Sequence, residues 1–128
     1  MIRLLGVCFQ TEPLLIVLEY MANGDLKTFL RRANEPDSGI ELSTAHMLRL
    51  AQDCARGVAY LHSQSYVHRD LAARNVLLGR TYIAKIGDFG MARKIFTSEV
   101  CVLGLIRVLV TGFDNLVLFV VLSPELVK

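Results

Sequence analysis

A chain of 128 residues is long enough for one small domain, and its hydrophobic fraction of 53% is sufficient to build a core. The formal net charge of +2 is too small to indicate nucleic-acid binding, and no long run of Lys and Arg occurs. Three scattered cysteines and an N-terminus unlike a secretory signal favour a reducing compartment, so we expect a cytoplasmic protein with structural thiols.

The first part of the chain predicts two strands followed by a short helix. The apolar runs IRLLGVCF and PLLIVLEY, separated by QTE, are typical of neighbouring strands. An Asn-Gly turn pattern then precedes Asp25, a good N-cap for a helix. The helix carries a basic cluster of Lys27, Arg31 and Arg32. This cluster is expected to be a solvated helix face, with a docking patch as the alternative.

The middle of the chain predicts a long amphipathic helix and two short strands. The composition of NEPDSG at 34–39 is typical of a loop, and Ser43 is a suitable cap for a helix over 44–63. Apolar side chains recur in this helix at three- or four-residue steps, which predicts one buried stripe of Met47, Leu50, Cys54, Val58 and Leu61. The runs VLL and YIAKI predict strands further along.

Two polar motifs, HRDLAARN at 68–75 and GDFG at 87–90, lie next to these strands. Phosphoryl transfer from a nucleotide needs oxygen ligands for Mg²⁺ and an acceptor for the proton of the attacking hydroxyl. Asp70, Asn75 and Asp88 supply two carboxylates and an amide for these tasks. A single loop Asp is usually a turn-capping residue. The order H-R-D-x-x-x-x-N followed by D-F-G, however, is a protein kinase signature.

Residues 1–93 resemble the protein tyrosine kinases, in particular receptor-type members near the insulin receptor. Ala72-Ala73-Arg74 is the tyrosine kinase form of the loop insert. RLLGVC resembles the fourth strand of the small lobe, and IVLEYMANGDLKTFL resembles the fifth strand, the hinge and the following helix. The resemblance implies an α+β, partial kinase-like bilobal fold. It would comprise the end of the small lobe, the hinge and the first half of the mainly helical large lobe.

The resemblance implies ATP-dependent phosphoryl transfer to tyrosine residues of protein substrates, with ATP and Mg²⁺ as cofactors. Asp70 would accept the proton of the substrate tyrosine, and Arg74 would orient the transferring phosphate. Asn75 would hold one Mg²⁺, and Asp88 would bind the Mg²⁺ that bridges the phosphates. His68 is then expected to be a packed, hydrogen-bonded residue, because the motif gives the proton-accepting role to Asp70.

The resemblance also assigns the nucleotide pocket and two further roles. The backbone around Glu19 and Met21 would hydrogen-bond adenine, and the other nucleotide contacts would be Leu18 as gatekeeper, Asp25 near the ribose and Leu77 beneath the adenine ring. An apolar spine between the lobes would include Leu4, His68 and Phe89. Arg69 would pair with a phosphorylated residue of the activation loop.

The sequence departs from the family pattern in the phosphate-binding motifs. It contains neither G-x-G-x-x-G nor V-A-I-K. Lys85 follows HRDLAARN (68–75), which the resemblance identifies as the catalytic loop, so Lys85 does not replace the V-A-I-K lysine. Because that lysine and its glutamate partner are both needed for activity, we expect the chain alone to be inactive. A non-catalytic fragment that binds or competes with a full-length kinase is the alternative.

Residues 94–128 form a divergent, Val- and Leu-rich tail where the family has a polar activation segment. Arg107 and Asp114 interrupt its apolar runs, so a membrane span is disfavoured, and we expect a membrane link only through a receptor segment absent from the chain. Ser123-Pro124-Glu125 resembles the end of an activation segment. Aberrant splicing, intron retention or a frame error is our hypothesis for residues 94–122.

Overall fold

The computed structural model describes residues 1–10 and 12–95. The elements in chain order are β1 (Leu4–Cys8), β2 (Leu15–Leu18), α1 (Leu26–Ala33), α2 (Thr44–Ser63), β3 (Tyr66–Val67), a 3₁₀ turn (Ala73–Asn75), β4 (Val76–Leu78), β5 (Ala84–Ile86) and β6 (Arg93–Lys94). The strands form three antiparallel pairs, β1–β2, β3–β6 and β4–β5. Except for residues 94 and 95, the predicted tail with its Ser-Pro-Glu motif lies outside the described residues.

Both helices begin at the capping residues that the sequence predicts. The N–H of Thr28 donates to Asp25 Oδ1 over 2.8 Å, and the Thr28 hydroxyl donates to Oδ2 over 2.7 Å. At the start of α2 the N–H of His46 donates to Ser43 Oγ over 3.2 Å. Each cap satisfies a first-turn N–H that has no partner within the helix. The helix over 44–63 therefore has the predicted bounds.

The core lies between the two helices and the β4–β5 pair. Its buried residues are Leu26, Phe29, Leu50, Cys54, Val76, Leu78 and Ala84. Four members of the predicted stripe on α2 are buried, whereas Met47 is half-buried. Gly57 lets α2 approach β5 closely, because a Cβ at this position would lie 2.9 Å from Ile86 Cδ1. This contact fixes the strand that leads into the GDFG turn.

Two parts of the secondary structure differ from the sequence prediction. The strand predicted over YIAKI is confined to Ala84–Ile86, because Tyr82 has a left-handed backbone with φ 58° and donates its N–H to Gly79 O over 2.9 Å. The β3–β6 pair was not predicted, because strands of two residues show no alternation. Together, these strands frame the catalytic loop and the segment after it.

The β1–β2 hairpin is largely exposed. All four residues of β2 are solvent-exposed, and the Ile2 N–H donates to Ile86 O over 2.8 Å, which joins the hairpin to the end of β5. Across residues 1–10 and 12–95, helices long and apolar enough to cross a bilayer are absent. The hairpin is thus hydrogen-bonded to the strand that precedes the GDFG turn.

Candidate active site

Asp70 lies in the loop between β3 and the 3₁₀ turn, and both of its carboxylate oxygens have partners. Arg74 Nη2 donates to Oδ1 over 2.5 Å, and Asn75 Nδ2 donates to Oδ2 over 2.9 Å. The hydrogen bond from Arg74 is the main cause that lowers the pKa of Asp70, and the bond from Asn75 acts in the same direction. The geometry therefore keeps an ionised carboxylate in this loop, as a proton acceptor requires.

The side chain of Asn75 has a fixed orientation. Its Nδ2 also donates to the backbone O of Asp70 over 2.8 Å, so two hydrogen bonds hold this nitrogen to Asp70. Asn75 is only 7% exposed, yet the described residues contain no buried side-chain N or O without a partner. Its Oδ1, which accepts no hydrogen bond from the described residues, consequently retains access to solvent. The amide nitrogen, rather than the carbonyl oxygen, is thus the end that the loop holds.

Asp88 lies in the turn that follows β5. Its backbone is left-handed with φ 55°, its side chain is exposed, and Oδ1 accepts the Gly90 N–H over 3.4 Å. The preceding Gly87 donates its N–H to Asn75 O over 2.8 Å, which brings the two predicted metal ligands to neighbouring points of the backbone. The described part of the chain has no cluster of three or more His, Cys, Asp or Glu suited to a metal. Because Mg²⁺ is often bound by one or two protein oxygens completed by water and phosphate, Asn75 and Asp88 stay candidate ligands.

His68 joins the catalytic loop to the GDFG turn. It is buried, its Nε2 lies 2.8 Å from Gly87 O, and its Nδ1 accepts the Asp70 N–H over 3.3 Å. With Nδ1 as the acceptor of this N–H, Nε2 is the nitrogen that donates to Gly87 O. The imidazole also meets the Phe89 ring edge-on, with centroids 5.3 Å apart. His68 is thus the packed, hydrogen-bonded residue that the sequence predicts.

Arg69 and Leu4 are the other residues to which the resemblance assigns a role. Arg69 has a left-handed backbone with φ 66°, and its Nε donates to Met91 O over 2.9 Å. It therefore contacts the segment just after the GDFG turn. Its pairing with a phosphorylated residue of the activation loop stays a prediction. Leu4 lies in β1 and is 56% exposed, and its place in an apolar spine also stays a prediction.

The predicted adenine-binding residues lie at the end of β2 and in the segment that follows it. Leu18 ends β2. Within the described residues, the carbonyl of Glu19 and the N–H of Met21 make no hydrogen bond. Further on, Asp25 pairs with Leu77 in an isolated antiparallel bridge. The fold thus brings the predicted ribose contact beside the residue predicted to lie beneath the adenine.

An ion pair at the start of this segment was not found from the sequence. Lys85 Nζ lies 2.8 Å from Glu19 Oε1 and 2.7 Å from Oε2, and the Arg3 N–H donates to Oε1 over 2.6 Å. The hydrogen bond from Lys85 is the main cause that lowers the pKa of Glu19. The two residues are 66 positions apart, so no local pattern could have indicated their contact.

A loop that joins an acid, an arginine and an asparagine to an Asp-Phe-Gly turn is a signature of the protein kinase family. Comparison with known proteins agrees. The family model described as protein tyrosine and serine/threonine kinase matches residues 1–104. The chain belongs to this family. The predicted family and the α+β, partial kinase-like fold are therefore confirmed.

Growth factor receptors are among the curated proteins that this chain resembles. The BDNF/NT-3 growth factors receptor of Gallus gallus is 45% identical over 106 residues, which cover 77% of this chain and 13% of that receptor. The high affinity nerve growth factor receptor of Gallus gallus is 44% identical over 108 residues, covering 77% and 14% respectively. The NT-3 growth factor receptor of Homo sapiens is 44% identical over 109 residues, covering 77% and 13%. This confirms the predicted resemblance to receptor-type members, although the chain spans only 13–14% of these receptors.

Proposed function

We propose that this chain is part of a receptor-type tyrosine kinase, which transfers a phosphoryl group from ATP to tyrosine residues of protein substrates. The observation that carries the proposal is the arrangement of Asp70, Arg74 and Asn75 in one hydrogen-bonded loop next to the Asp-Phe-Gly turn. Similarity to growth factor receptors supports a place on the cytoplasmic side of the plasma membrane.

Asp70 is the proton acceptor in this proposal. Its lowered pKa keeps it ionised at neutral pH, ready to receive the proton of a tyrosine hydroxyl. Arg74 and Asn75 each use one lone pair of an Asp70 oxygen, so a second lone pair can accept the hydroxyl. Arg74 is the more exposed partner and can turn towards a phosphate. Asn75 keeps its second bond, to the Asp70 backbone, when the carboxylate is engaged elsewhere.

Asn75 and Asp88 would hold Mg²⁺, with the solvent-facing Oδ1 of Asn75 and the exposed carboxylate of Asp88 as hard oxygen ligands. The metal would supply positive charge to the phosphates. The chain's own contribution is to hold both ligands in place, through the hydrogen bond from Gly87 N–H to Asn75 O.

The nucleotide base would contact the segment after β2. The Glu19 carbonyl and the Met21 N–H offer one acceptor and one donor, which complement the amino group and a ring nitrogen of adenine. Leu77 offers an apolar side chain beneath the ring. Asp25 retains acceptor capacity for a ribose hydroxyl, because its oxygens already bind Thr28 but each has a second lone pair.

Nucleotide binding is tested by the thermal unfolding of the purified chain with and without Mg-ATP. At a nucleotide concentration of 100 times Kd, binding should add about 2.7 kcal/mol to the free energy of unfolding. The Asp88→Asn variant should lose this stabilisation. The matched control is Asp37→Asn, which changes an exposed loop carboxylate between the two helices and should keep it.

A wild-type chain that gains no stability from Mg-ATP would overturn nucleotide binding by this chain and favour the non-catalytic alternative. Equal stabilisation of the Asp88→Asn variant would mean that the nucleotide binds elsewhere. The acceptor class is tested by comparing labelled phosphate transfer to a tyrosine peptide and a serine peptide, with Asp70→Asn as control. Because the chain contains no G-x-G-x-x-G and no V-A-I-K, we expect phosphoryl transfer to be very slow even if nucleotide binding is measurable.

A further inference from the structure

Tyr20 is the most exposed of the four tyrosines in the chain. It is 83% exposed, against 56% for Tyr60, 51% for Tyr82 and 39% for Tyr66. It lies two residues beyond the end of β2, in a segment that forms neither helix nor strand. Its side chain is therefore open to a protein that recognises tyrosine.

The backbone of Tyr20 makes no hydrogen bond within residues 1–10 and 12–95. Hydrogen bonds flank it on both sides, from Glu19 N–H to Arg3 O over 3.0 Å and from Gly24 N–H to Met21 O over 3.2 Å. A protein substrate must present its tyrosine on a stretch of chain that can enter the cleft of a kinase. Because few backbone hydrogen bonds hold this stretch, its local opening needs little free energy.

The other three tyrosines are held more firmly. Tyr60 lies inside α2, and Tyr66 belongs to the β3–β6 pair. Tyr82 lies in a closed turn, and its ring packs against Phe29 with centroids 5.3 Å apart. Presentation of any of these three would break helical, strand or turn and ring contacts, so each should be a poorer substrate than Tyr20.

We propose that Tyr20 is a phosphorylation site for an active tyrosine kinase other than this molecule. The hydroxyl oxygen of Tyr20 attacks the γ-phosphorus of ATP, the bond from that phosphorus to the β–γ bridging oxygen breaks, and ADP leaves. The hydroxyl proton passes to a carboxylate of the acting kinase. The same molecule cannot phosphorylate itself here, because Tyr20 lies in the segment proposed to meet adenine, at the opposite end of the nucleotide from the γ-phosphate.

Phosphorylation at this position changes the charge of the segment that would bind the base. Tyr20 separates the two backbone groups proposed to meet adenine, the Glu19 carbonyl and the Met21 N–H. A phosphate on its hydroxyl carries about −1.5 to −2 charges at pH 7, the same sign as the triphosphate of ATP. We therefore expect Mg-ATP to bind about two- to threefold more weakly at low ionic strength, with a smaller effect at high salt. This consequence rests on the proposed function, whereas the modification itself does not.

The site is tested by treating the purified chain with an active receptor-type tyrosine kinase domain and Mg-ATP, and following each tyrosine by mass spectrometry. Tyr20 should be modified about tenfold faster than the other three tyrosines. Tyr20→Phe should lose most of the incorporated phosphate, and the matched control Tyr60→Phe, also at an exposed tyrosine, should keep it. Failure to modify Tyr20 while a tyrosine peptide is modified, or equal modification of all four tyrosines, would overturn the proposal.

The consequence is tested by the dissociation constant of Mg-ATP for the unmodified chain and for the chain phosphorylated at Tyr20. Weaker binding at low ionic strength that recovers in high salt would support it. An unchanged dissociation constant at low ionic strength would overturn the effect on the nucleotide site. A chain that binds no Mg-ATP in either form would refute the proposed nucleotide site, whereas the mapping of phosphate to Tyr20 would still decide whether the modification site exists.

Discussion

Replacing Gly57 with alanine tests the close approach of α2 and β5 that supports the GDFG turn. Alanine in a helix interior is more favourable than glycine by about 0.8–1 kcal/mol. The new Cβ would, however, lie 2.9 Å from Ile86 Cδ1 and 3.2 Å from Ile86 Cγ1. Ile86 has no exposed surface, so its side chain has little room to move, and overpacking of this kind typically costs about 1–3 kcal/mol. We expect a net loss of about 1 kcal/mol in the free energy of unfolding.

The second variant of this test is Ile86→Val, which removes the Cδ1 atom that the new Cβ would meet. Alone it should cost about 0.5–1.5 kcal/mol. In the Gly57→Ala background the cost should shrink or change sign, which gives a coupling energy of about 1 kcal/mol. Urea unfolding measures both effects as shifts of the midpoint at constant m-value. Stabilisation by Gly57→Ala, or an equal cost of Ile86→Val in both backgrounds, would refute the packing argument.

Three further predictions concern the cap of α1, the catalytic loop and the core. Asp25→Ala should lower the free energy of unfolding by about 1 kcal/mol through loss of the N-cap, whereas Asp37→Ala should not. Arg74→Gln should raise the pKa of Asp70 towards its ordinary value, followed by NMR titration of the carboxyl carbon. The pKa of Asp70 is lower in the folded state than in the unfolded state. The Asp70–Arg74 pair therefore stabilises the fold above the unfolded-state pKa, and this stabilisation is lost as the pH falls through the folded-state pKa. An unchanged pKa of Asp70 in Arg74→Gln would contradict the assignment of the shift to Arg74. Burial raises the pKa of the Cys54 thiol to about 12. In a variant chain that lacks the other two cysteines, Cys54 should therefore react with a thiol reagent at pH 8 only after unfolding. Rapid labelling of the folded chain would contradict the burial of Cys54.

The features that could be predicted from the sequence depend on residues that are close together in the chain. The caps at Asp25 and Ser43 begin both helices because each acts within three residues of itself. The loop at 68–75 was predictable for the same reason, since the acid, the arginine and the asparagine lie within six consecutive positions. These local signals also specified the family, which the comparisons confirm.

The features that could not be predicted depend on contacts between distant residues. The Glu19–Lys85 pair joins positions 66 apart, and neither residue stands out from other charged residues in the sequence. The shortening of β5 follows from the left-handed backbone of Tyr82, a residue type that does not itself favour this conformation. The orientation of the Asn75 amide likewise depends on the path of the loop, because it is fixed by the Asp70 backbone and carboxylate together.

Gly87 shows how the two motifs act as one unit. Its N–H donates to Asn75 O, and its carbonyl accepts from His68 Nε2, so both polar groups of its backbone bind the catalytic loop. Asp88 follows directly, with a left-handed backbone that such flanking contacts hold in place. The position of the carboxylate proposed to bind metal therefore depends on the loop at 68–75. A change at His68 should release both the Gly87 carbonyl and the Asp70 N–H, whereas Arg74 and Asn75 would still hold the Asp70 carboxylate.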